Sequence, residues 1–308
     1  METTETLLLL RCEQALHAGT GIGIGAIDKP IQRDKTTGFP IVYGSALKGS
    51  IKSQMRPPKT SKQEPDFFSM FGSDDDGSIA AASTFTEAHL LLFPVRSARG
   101  LFTWVTCPFA LNRFLNKGRS IGKLKSMDIK VTEIDIDENA YLLAEDIDKC
   151  MVIKGLIEQV ENGKNILRNW AIFEDLCFEV KEHAELKKLG KQIADLVFDN
   201  KKQSYWHNHL QNNLILVTNK VFQYFTKFAV EIRTRNKIDI NSNTASDTGL
   251  FVVECLPELS VLYATVAVFH DDAVGYTKSF IEPLTVSQMQ TGGSFTTGKG
   301  QINVRIIS

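Results

Sequence analysis

Two residues of the types that transfer protons stand near the start of the chain, His17 and Asp28, eleven positions apart. The passage between them, residues 19–25, is rich in glycine and cannot easily continue a regular strand or helix. An imidazole and a carboxylate brought together across such a loop suit general acid–base chemistry or the binding of a cation. A histidine and an aspartate in a loop are also often structural, so the spacing leaves both roles open.

Two further segments have the composition of phosphate-binding sites. Residues 44–50, Gly-Ser-Ala-Leu-Lys-Gly-Ser, place Lys48 in the first turn of a predicted helix, where backbone N–H groups and a cation suit a phosphate. Residues 290–300 combine four glycines, four hydroxyl residues and Lys299, and they predict a nest of N–H groups for a phosphate. A simple capped helix and a plain β-turn are the alternatives.

The sequence lacks several other catalytic signatures. The glycines of residues 21–25 miss the G-x-G-x-x-G spacing of dinucleotide sites, and residues 44–50 miss the Walker spacing because the lysine precedes the second glycine. No G-x-S-x-G elbow is present. His207 and His209 lie two apart without clear partners for a metal. These observations argue against a nucleotide-binding P-loop, a Rossmann site, a serine hydrolase and a zinc centre.

Composition indicates an ordinary globular protein of 308 residues, 43% of them hydrophobic. The longest apolar stretches, residues 7–10 and 261–269, fall short of the roughly 18 residues of a membrane span. The first residues are acidic, unlike a secretory signal, and the five cysteines are dispersed without a CxxC pair. We therefore expect a cytoplasmic protein without a membrane partner.

Charge is distributed unevenly along the chain, although the formal net charge is only −1. Residues 29–62 contain eight basic residues against one acidic residue, whereas residues 131–185 contain fourteen acidic against five basic ones. A basic surface for a polyanion and an acidic surface facing another subunit would explain this pattern; solvated faces without a partner are the alternative. A second basic cluster consists of Arg113, Lys117, Arg119, Lys123, Lys125 and Lys130.

The apolar patterns predict an α+β fold without repeats, and we expect one domain over residues 1–308. Strands are predicted at residues 6–11, 88–93, 101–106, 214–217, 230–240 and 302–307. Ser45 is the predicted N-cap of a helix through Met55, Asn219 caps another, and a further helix covers 109–115. Two helical stripes are predicted within residues 166–198, and exposed loops at 59–66 and 72–77.

Read in order, several motifs resemble the backbone subunit of type III-B CRISPR effector (Cmr) complexes, which belongs to the RAMP superfamily. The resemblance covers nearly the whole chain, and the ordered series is far more specific than any single motif. It is carried by the following segments: His17-Ala-Gly-Thr-Gly, Ile27-Asp-Lys-Pro-Ile-Gln-Arg33, Thr37-Gly-Phe-Pro-Ile41, residues 44–50, Leu91-Leu-Phe-Pro-Val-Arg-Ser97, Phe102-Thr-Trp-Val-Thr-Cys-Pro108, Arg235-Asn-Lys-Ile-Asp239, Gly249-Leu-Phe-Val-Val-Glu-Cys-Leu-Pro257 and the glycine-rich residues 290–300.

The resemblance implies a modified RRM-like (ferredoxin-like) palm with inserted helical segments and a β-hairpin thumb at about residues 233–254. The partners it implies are a guide RNA, a complementary target RNA, further copies of this chain in a filament and other Cmr subunits. The guide would be held by its backbone while base pairing reads the target. Thumb tips in this family wedge into the guide–target duplex, and Leu250 and Phe251 are the candidates for that role here. One departure is Asn236, where the family usually has an aliphatic residue.

The site residues follow from the same resemblance. Asp28 matches the family aspartate required for target cleavage, where it would bind Mg²⁺ or another divalent ion, or accept the proton of the ribose 2′-hydroxyl. A carboxylate is a weak base at neutral pH, so ion binding or electrostatic support is favoured. His17 and Glu254 stand where the family carries helpers, and no organic cofactor is expected. Guide contacts are assigned first to Lys48, then to Lys52, Arg56, Gly292, Gly293, Lys299, Arg233 and Arg235.

Two competing functions remain open at this point. The chain could be a purely structural guide-binding scaffold whose carboxylate is not productive. Alternatively, it could be a single-subunit ribonuclease that processes the guide precursor, as other RAMP proteins do. The presence of Asp28 argues against the scaffold, and we expect that the isolated chain does not cut repeat RNA without partners.

Overall fold

The computed structural model describes residues 2–21, 23, 25–74, 77–98, 100–124, 149–152, 170–182, 184–238, 244–286 and 288–307. The chain forms two compact units, Met1–His89 with Val230–Ser308, and Leu90–Ala229. Helices and strands are mixed in both, which confirms the predicted α+β class. A single domain over the whole chain stays a prediction.

The strands in chain order are β1 (Glu2–Cys12), β2 (Ile41–Val42), β3 (Ser83–Phe85), β4 (Ala88–Ser97), β5 (Leu101–Thr106), β6 (Lys149–Val152), β7 (Trp170–Phe173), β8 (Leu176–Glu182), β9 (Leu214–Val217), β10 (Glu231–Ile238), β11 (Ala245–Cys255), β12 (Val261–His270), β13 (Gln288–Gln290) and β14 (Gln301–Ile307). The α-helices are α1 (Gly44–Gln54), α2 (Glu64–Phe71), α3 (Pro108–Ser120), α4 (Ala184–Val197), α5 (Ser204–Asn212), α6 (Asn219–Phe228) and α7 (Ala273–Phe280).

The first unit is organised around strand β1, which pairs antiparallel with β12 on one side and with β14 on the other. Its consecutive leucines, Leu7 to Leu10, are at most 2% exposed. A continuous rather than alternating apolar run indicates that both faces of the strand are covered. Strand β3 extends the sheet beyond β12, and β13 extends it beyond β14.

Strands β10 and β11 form a separate two-stranded hairpin in the first unit. Its register runs from Glu231 opposite Cys255 to Asn236 opposite Leu250, with an irregularity between Asn236 and Ile238. Most of β10 is exposed, whereas the end of β11 is buried at Val253, Glu254 and Cys255. Residues 239–243, between the two strands in sequence, lie outside the described residues.

The second unit contains a mixed sheet. Strand β5 pairs parallel with β9 and antiparallel with β4, while β6 pairs parallel with β8 and antiparallel with β9. The predicted second helical stripe is confirmed as α4. The first stripe is wrong over its described part, because Trp170–Phe173 and Leu176–Glu182 form an antiparallel hairpin. Its turn places Glu174 at φ 51°, and Glu174 accepts bonds from the backbone N–H and the Nε of Arg96.

Both predicted helix caps are displaced by one or two residues. Helix α1 has Tyr43 at its N-cap without a side-chain bond, and Ser45 lies inside its first turn. Thr218 caps α6 by accepting from the backbone N–H of Val221, which leaves Asn219 to accept from the N–H of Phe109 at 3.0 Å. The predicted loop at 59–66 also contains the start of α2.

Among the described helices, none is both long and apolar enough to cross a membrane. Lys125 and Lys130 of the second basic cluster, and most of the acidic residues between 131 and 169, lie outside the described residues.

Candidate functional site

One edge of strand β11 holds both residues that the sequence singled out for chemistry. The backbone N–H of Val252 donates to Asp28 Oδ2 at 2.7 Å, and the backbone carbonyl of Glu254 accepts from His17 Nδ1 at 2.7 Å. Between these two bonds, the Lys29 N–H donates to the Val252 carbonyl and the Glu254 N–H donates to the Lys29 carbonyl, both at 3.0 Å. The anchor residues are two apart in the strand, which corresponds to about 7 Å along it. We call these four hydrogen bonds the β11 edge ladder.

Asp28 is exposed, and the ladder fixes only one of its carboxylate oxygens among the hydrogen bonds of the described residues. Its loop is shaped locally by Gly23, whose N–H donates to the Asp28 carbonyl at 2.8 Å. A Cβ at Gly23 would lie 2.3 Å from the carbonyl oxygen of Ile27, so the close turn requires glycine. The loop thus presents a carboxylate to solvent in a fixed position.

His17 is 9% exposed and is held in one orientation. Because a carbonyl only accepts, Nδ1 must be the protonated ring nitrogen, and neutral His17 carries its lone pair on Nε2. A Cβ built on Gly19 would lie 2.7 Å from Nε2. The ring therefore packs so closely on the Gly19 backbone that only glycine fits there, and the lone pair on Nε2 is the group through which His17 can accept a proton or a hydrogen bond.

Glu254 serves the site from inside the protein. Its side chain is 4% exposed; Oε2 accepts from the Ile31 N–H at 2.9 Å, and Oε1 pairs with the Arg33 guanidinium. Both carboxylate oxygens are thus engaged, while the carbonyl of the same residue orients His17. The structure therefore places Glu254 as a residue that positions its neighbours; a direct role in the chemistry stays a prediction.

A divalent ion fits this site only in part. Among the described residues, no group of three His, Cys, Asp or Glu side chains could hold a metal ion. Mg²⁺ often retains water and uses one or two carboxylates together with substrate phosphates. Asp28 accordingly suits an ion shared with a bound polyanion rather than one held by protein groups alone.

Lys48 lies in the first turns of α1 and is half-buried. Burial, and secondarily the nearby charge of Lys52, holds the pKa of the Lys48 ammonium below its ordinary value. A cation that is partly desolvated and repelled by a neighbour gains more from an added anion than a fully solvated one does. This environment is compatible with a phosphate contact, and the assignment of Lys48 to the guide stays a prediction.

Lys52 and Arg56 are occupied by the segment that follows α2. Lys52 Nζ donates to the Gly72 carbonyl at 2.7 Å and pairs with Asp74 at 2.8 Å. Arg56 Nη2 contacts both Asp74 oxygens, at 2.8 and 2.9 Å. Hydrogen bonds from Arg56 and then Lys52 lower the pKa of Asp74 to about 2. Both cations thus stabilise this segment in the structure, and their assignment as guide contacts stays a prediction.

The glycine-rich residues 290–300 lie against His17. The Gly293 N–H donates to the His17 carbonyl at 2.9 Å, and a Cβ on Gly292, whose φ is +74°, would come within 2.4 Å of that oxygen. Both glycines are exposed, so their backbone can be approached from solvent. The glycine-rich segment therefore lies in direct contact with the predicted catalytic histidine, and its role as a phosphate nest stays a prediction.

Lys299, by contrast, is 0% exposed, so its ammonium is not on the surface where the sequence placed it. Its Nζ donates to Cys255 Sγ at 3.1 Å and lies 3.8 Å from Glu231 Oε1. Burial raises the pKa of the Cys255 thiol, and the bond from Lys299 partly offsets this rise. Lys299 ties the glycine-rich segment to the base of the hairpin, which corrects its assignment as a phosphate contact in this structure.

The hairpin residues fall into different environments. Arg235 is half-buried and Arg233 is exposed, its guanidinium paired with Glu231. Leu250 is 67% exposed, as a wedge would require. Phe251 instead packs against the buried cluster of Ala15, Val253 and Cys255, and Lys29 Nζ lies 4.5 Å from its ring centroid. Leu250 is thus the better placed of the two wedge candidates.

His207 and His209 do not form a metal site within the described residues. His207 Nε2 contacts Asp195 at 2.7 Å, and His209 stacks on Phe102 with ring centroids 4.7 Å apart. Both rings therefore contact residues of the second unit.

Sequence reasoning missed the groups that hold the site together. Lys29 and Arg33 were counted only as part of a basic stretch, and nothing in the residue type marks the backbone N–H of Val252 as a partner for Asp28. Gly19 was noted only as a loop former. A signal for Lys29 does exist, because it sits between Asp28 and Pro30, where the chain must be extended.

A family model, described as the RAMP superfamily, matches residues 9–303. The chain therefore belongs to the RAMP superfamily. The CRISPR system Cmr endoribonuclease Cmr4 of Pyrococcus furiosus is 26% identical over 298 residues, which cover 94% of this chain and 91% of that protein. The CRISPR system CMR subunit Cmr4 of Saccharolobus solfataricus is 24% identical over 297 residues, covering 94% and 92%.

Solved structures support the same fold. The crystal structure of oligomeric Cmr4 from Pyrococcus furiosus matches with a TM-score of 0.71 and 21% identity, over 99% of this chain and 98% of that one. A chain of the cryo-EM structure of the type III-B Cmr-beta bound to cognate target RNA matches with a TM-score of 0.71 and 19% identity, over 98% and 97%. The predicted RRM-like palm is consistent with this fold.

Proposed function

We propose that this chain is the guide-RNA-binding backbone subunit of a type III-B CRISPR complex and that it cleaves complementary target RNA at regular intervals. The β11 edge ladder carries the proposal, because it holds an exposed carboxylate and an oriented imidazole beside a glycine-rich surface. Its most similar relatives include a protein named as a Cmr endoribonuclease, matched along nearly its full length. Other partners would be the guide RNA, further copies of this chain and other Cmr subunits, in the cytoplasm.

In the proposed reaction the ribose 2′-oxygen of the target attacks the adjacent phosphorus. The bond from phosphorus to the 5′-oxygen breaks, and the products are a 2′,3′-cyclic phosphate and a 5′-hydroxyl. His17 Nε2, the ring nitrogen that carries the lone pair, accepts the 2′-hydroxyl proton, and the departing 5′-oxygen takes up a proton from solvent. Asp28 would support the reaction through its charge, and its second carboxylate oxygen is the group that would hold a divalent ion. Such an ion would help to neutralise the phosphate.

The test is target cleavage by the reconstituted, guide-loaded complex with Mg²⁺, comparing native protein with Asp28→Ala and mapping the product ends. Glu87→Gln is a matched control, because Glu87 is an exposed carboxylate of the same unit outside the site. We expect regularly spaced cuts that Asp28→Ala abolishes while target binding persists. Equal cutting by the Asp28→Ala complex would show that another nuclease cuts and that this chain is a scaffold.

The guide-processing alternative has its own test. The isolated chain is incubated with repeat-containing precursor RNA in the absence of other subunits. We expect no cleavage, because the proposed reaction relies on a guide–target duplex for in-line geometry. Specific cutting of the precursor by the isolated chain would favour a processing enzyme.

A further inference from the structure

Lys29 joins the site to the hairpin through its side chain as well as its backbone. Its backbone supplies the two central bonds of the β11 edge ladder, and its Nζ lies 4.5 Å from the centroid of the Phe251 ring. Asp28 precedes it directly, so whatever fixes Lys29 also fixes the direction of the Asp28 carboxylate. We propose that Lys29, clamped on Phe251 by a cation–π contact, is the positioning residue that holds Asp28 in its cleaving position.

Phe251 is a rigid support for this clamp. It packs against Ala15, Val253 and Cys255, of which Val253 and Cys255 are at most 1% exposed. Lys29, on the other hand, is exposed and follows a passage, residues 19–25, that contains four glycines. A glycine-rich segment whose end is tied to a half-buried, well-packed ring loses conformational freedom before substrate arrives. The clamp therefore preorganises Asp28 rather than contacting the RNA.

The clamp also gives the hairpin an influence on the site. Leu250, the exposed wedge candidate, immediately precedes Phe251, and Val252, which binds Asp28, immediately follows it. If RNA bound at Leu250 displaced β11, the neighbouring Phe251 and Val252 would move with it. Their contacts with Lys29 and Asp28 would then change as well. Under this inference, which rests on the proposed function, cleavage is most efficient when the hairpin is bound to the RNA through Leu250.

The chemistry predicts a specific pattern of rescue. Lys29→Met keeps a long side chain but removes the cation, whereas Lys29→Arg keeps a cation that can lie over an aromatic ring. Phe251→Leu keeps apolar volume but removes the ring face, and Phe251→Tyr restores it. Lys278→Met is the matched control, because it removes the same charge from an exposed position on α7.

The experiment measures single-turnover cleavage at saturating target, together with target affinity, in the guide-loaded complex. We expect Lys29→Met and Phe251→Leu each to slow cleavage by about two- to fivefold, the range of an exposed cation–π contact, with affinity unchanged. The double variant should be no slower than either single one. Lys29→Arg, Phe251→Tyr and Lys278→Met should cut at the native rate.

Three results would overturn the inference. Native cutting by Lys29→Met would show that the clamp is not needed, and additive losses in the double variant would show that the two residues act separately. A loss of affinity that weakens with added salt would make Lys29 a direct phosphate contact. Asp28→Ala is run in parallel: if it also cuts normally, the proposed function itself fails, whereas its inactivity beside an unaffected Lys29→Met removes only this inference. Thermal unfolding of each variant separates a folding defect from a loss of positioning.

Discussion

The backbone N–H of Val252 donates to the carboxylate of Asp28 at 2.7 Å, across 224 positions of sequence. The strand that carries the exposed Leu250 is therefore the strand that holds the carboxylate proposed for cleavage. Binding of RNA at the hairpin and chemistry at the loop are expected to respond together to changes in β11. The following predictions separate the contributions of individual groups.

Substitution of Glu254 should reduce the stability of the fold more than it affects the cleavage reaction directly. Glu254→Ala leaves Arg33 with a partly buried charge and removes the acceptor for the Ile31 N–H, so the free energy of unfolding should fall by about 3 kcal/mol. Glu254→Gln keeps an acceptor and should cost less. Urea unfolding and cleavage are measured on both variants. A Glu254→Gln protein of native stability that does not cut would instead assign the carboxylate a direct role.

Gly19→Ala should disable His17 without removing it. The added methyl group would lie 2.7 Å from Nε2, so either the ring turns away from the Glu254 carbonyl or the loop shifts. Cleavage should fall while RNA affinity is retained, and His17→Ala combined with Gly19→Ala should be no worse than His17→Ala alone. An additive loss in the double variant would mean that Gly19 acts independently of the ring.

Leu250 and Phe251 should differ in what they contribute. Leu250→Ala removes an exposed side chain and should change the free energy of unfolding by less than about 0.5 kcal/mol, while reducing cleavage of the guide-bound target. Phe251→Ala should destabilise the fold by about 1–2 kcal/mol because the ring packs on a buried cluster. Chemical unfolding and cleavage assays read both effects. Unchanged cleavage in Leu250→Ala would move the wedge to another side chain.

Lys48 and Lys52 should behave oppositely in a salt titration. Loss of one phosphate contact in Lys48→Met should reduce the slope of log affinity for guide RNA against log salt by about 1. Lys52→Met should leave the slope unchanged and lower the melting temperature, because Lys52 holds the Gly72 carbonyl and Asp74. A slope that falls equally in both variants would show that RNA displaces Asp74 from Lys52.

Acidification should destabilise the protein through His209. Burial lowers the pKa of His209 below its ordinary 6.5, so the unfolded chain binds the proton more readily than the folded one. The stabilising contribution is therefore complete above about pH 6.5 and declines as the pH falls below that value. His209→Phe keeps the stack on Phe102 and should lose less stability than native protein between about pH 7.5 and 5.5. Urea unfolding of both proteins is measured at the two pH values. An equal loss of unfolding free energy in native protein and His209→Phe would contradict this prediction.

A divalent ion should be required for cutting but not for folding. Chelation with EDTA is expected to stop target cleavage while leaving the melting temperature of the chain unchanged, because no cluster of three metal-binding side chains exists within the described residues. Restoring Mg²⁺ should restore cutting. A fall in melting temperature on chelation would point to a resident metal site.

The sequence was sufficient for elements whose signals are local. The leucines of β1, the strands β5 and β9 and the helix stripe of α4 were read correctly from their apolar patterns. The helix predicted over Trp170–Phe173 was wrong, because apolar residues at spacings of two and three are compatible with both a helix and a hairpin. Pairing with β8 makes this segment a strand. Composition alone could not reveal that choice.

The site was partly predictable for the same reason. Asp28, His17 and the glycine-rich segment were identified by residue type, and the structure brings His17 together with Gly292 and Gly293. Lys299 was misplaced because a lysine among glycines is typical of a phosphate loop, whereas its burial depends on Cys255 and Glu231, more than 40 positions away. No sequence motif could predict the contacts of β11 with Asp28 and His17. The strand makes these contacts through backbone N–H and carbonyl groups, which are the same in nearly every residue.

The central position of β1 has a consequence for synthesis on the ribosome. Its partners β12 and β14 begin at Val261 and Gln301. The apolar run from Leu7 to Leu10 therefore cannot pair with either strand until most of the chain has been translated. The unit Leu90–Ala229 is contiguous and emerges earlier. A nascent chain thus gains its second-unit fold while His17 and Asp28 still lack β11, and it acquires a competent site only after the hairpin has been translated. Pulse-labelled nascent chains should accordingly expose the 7–10 run to chaperones until β12 has left the exit tunnel.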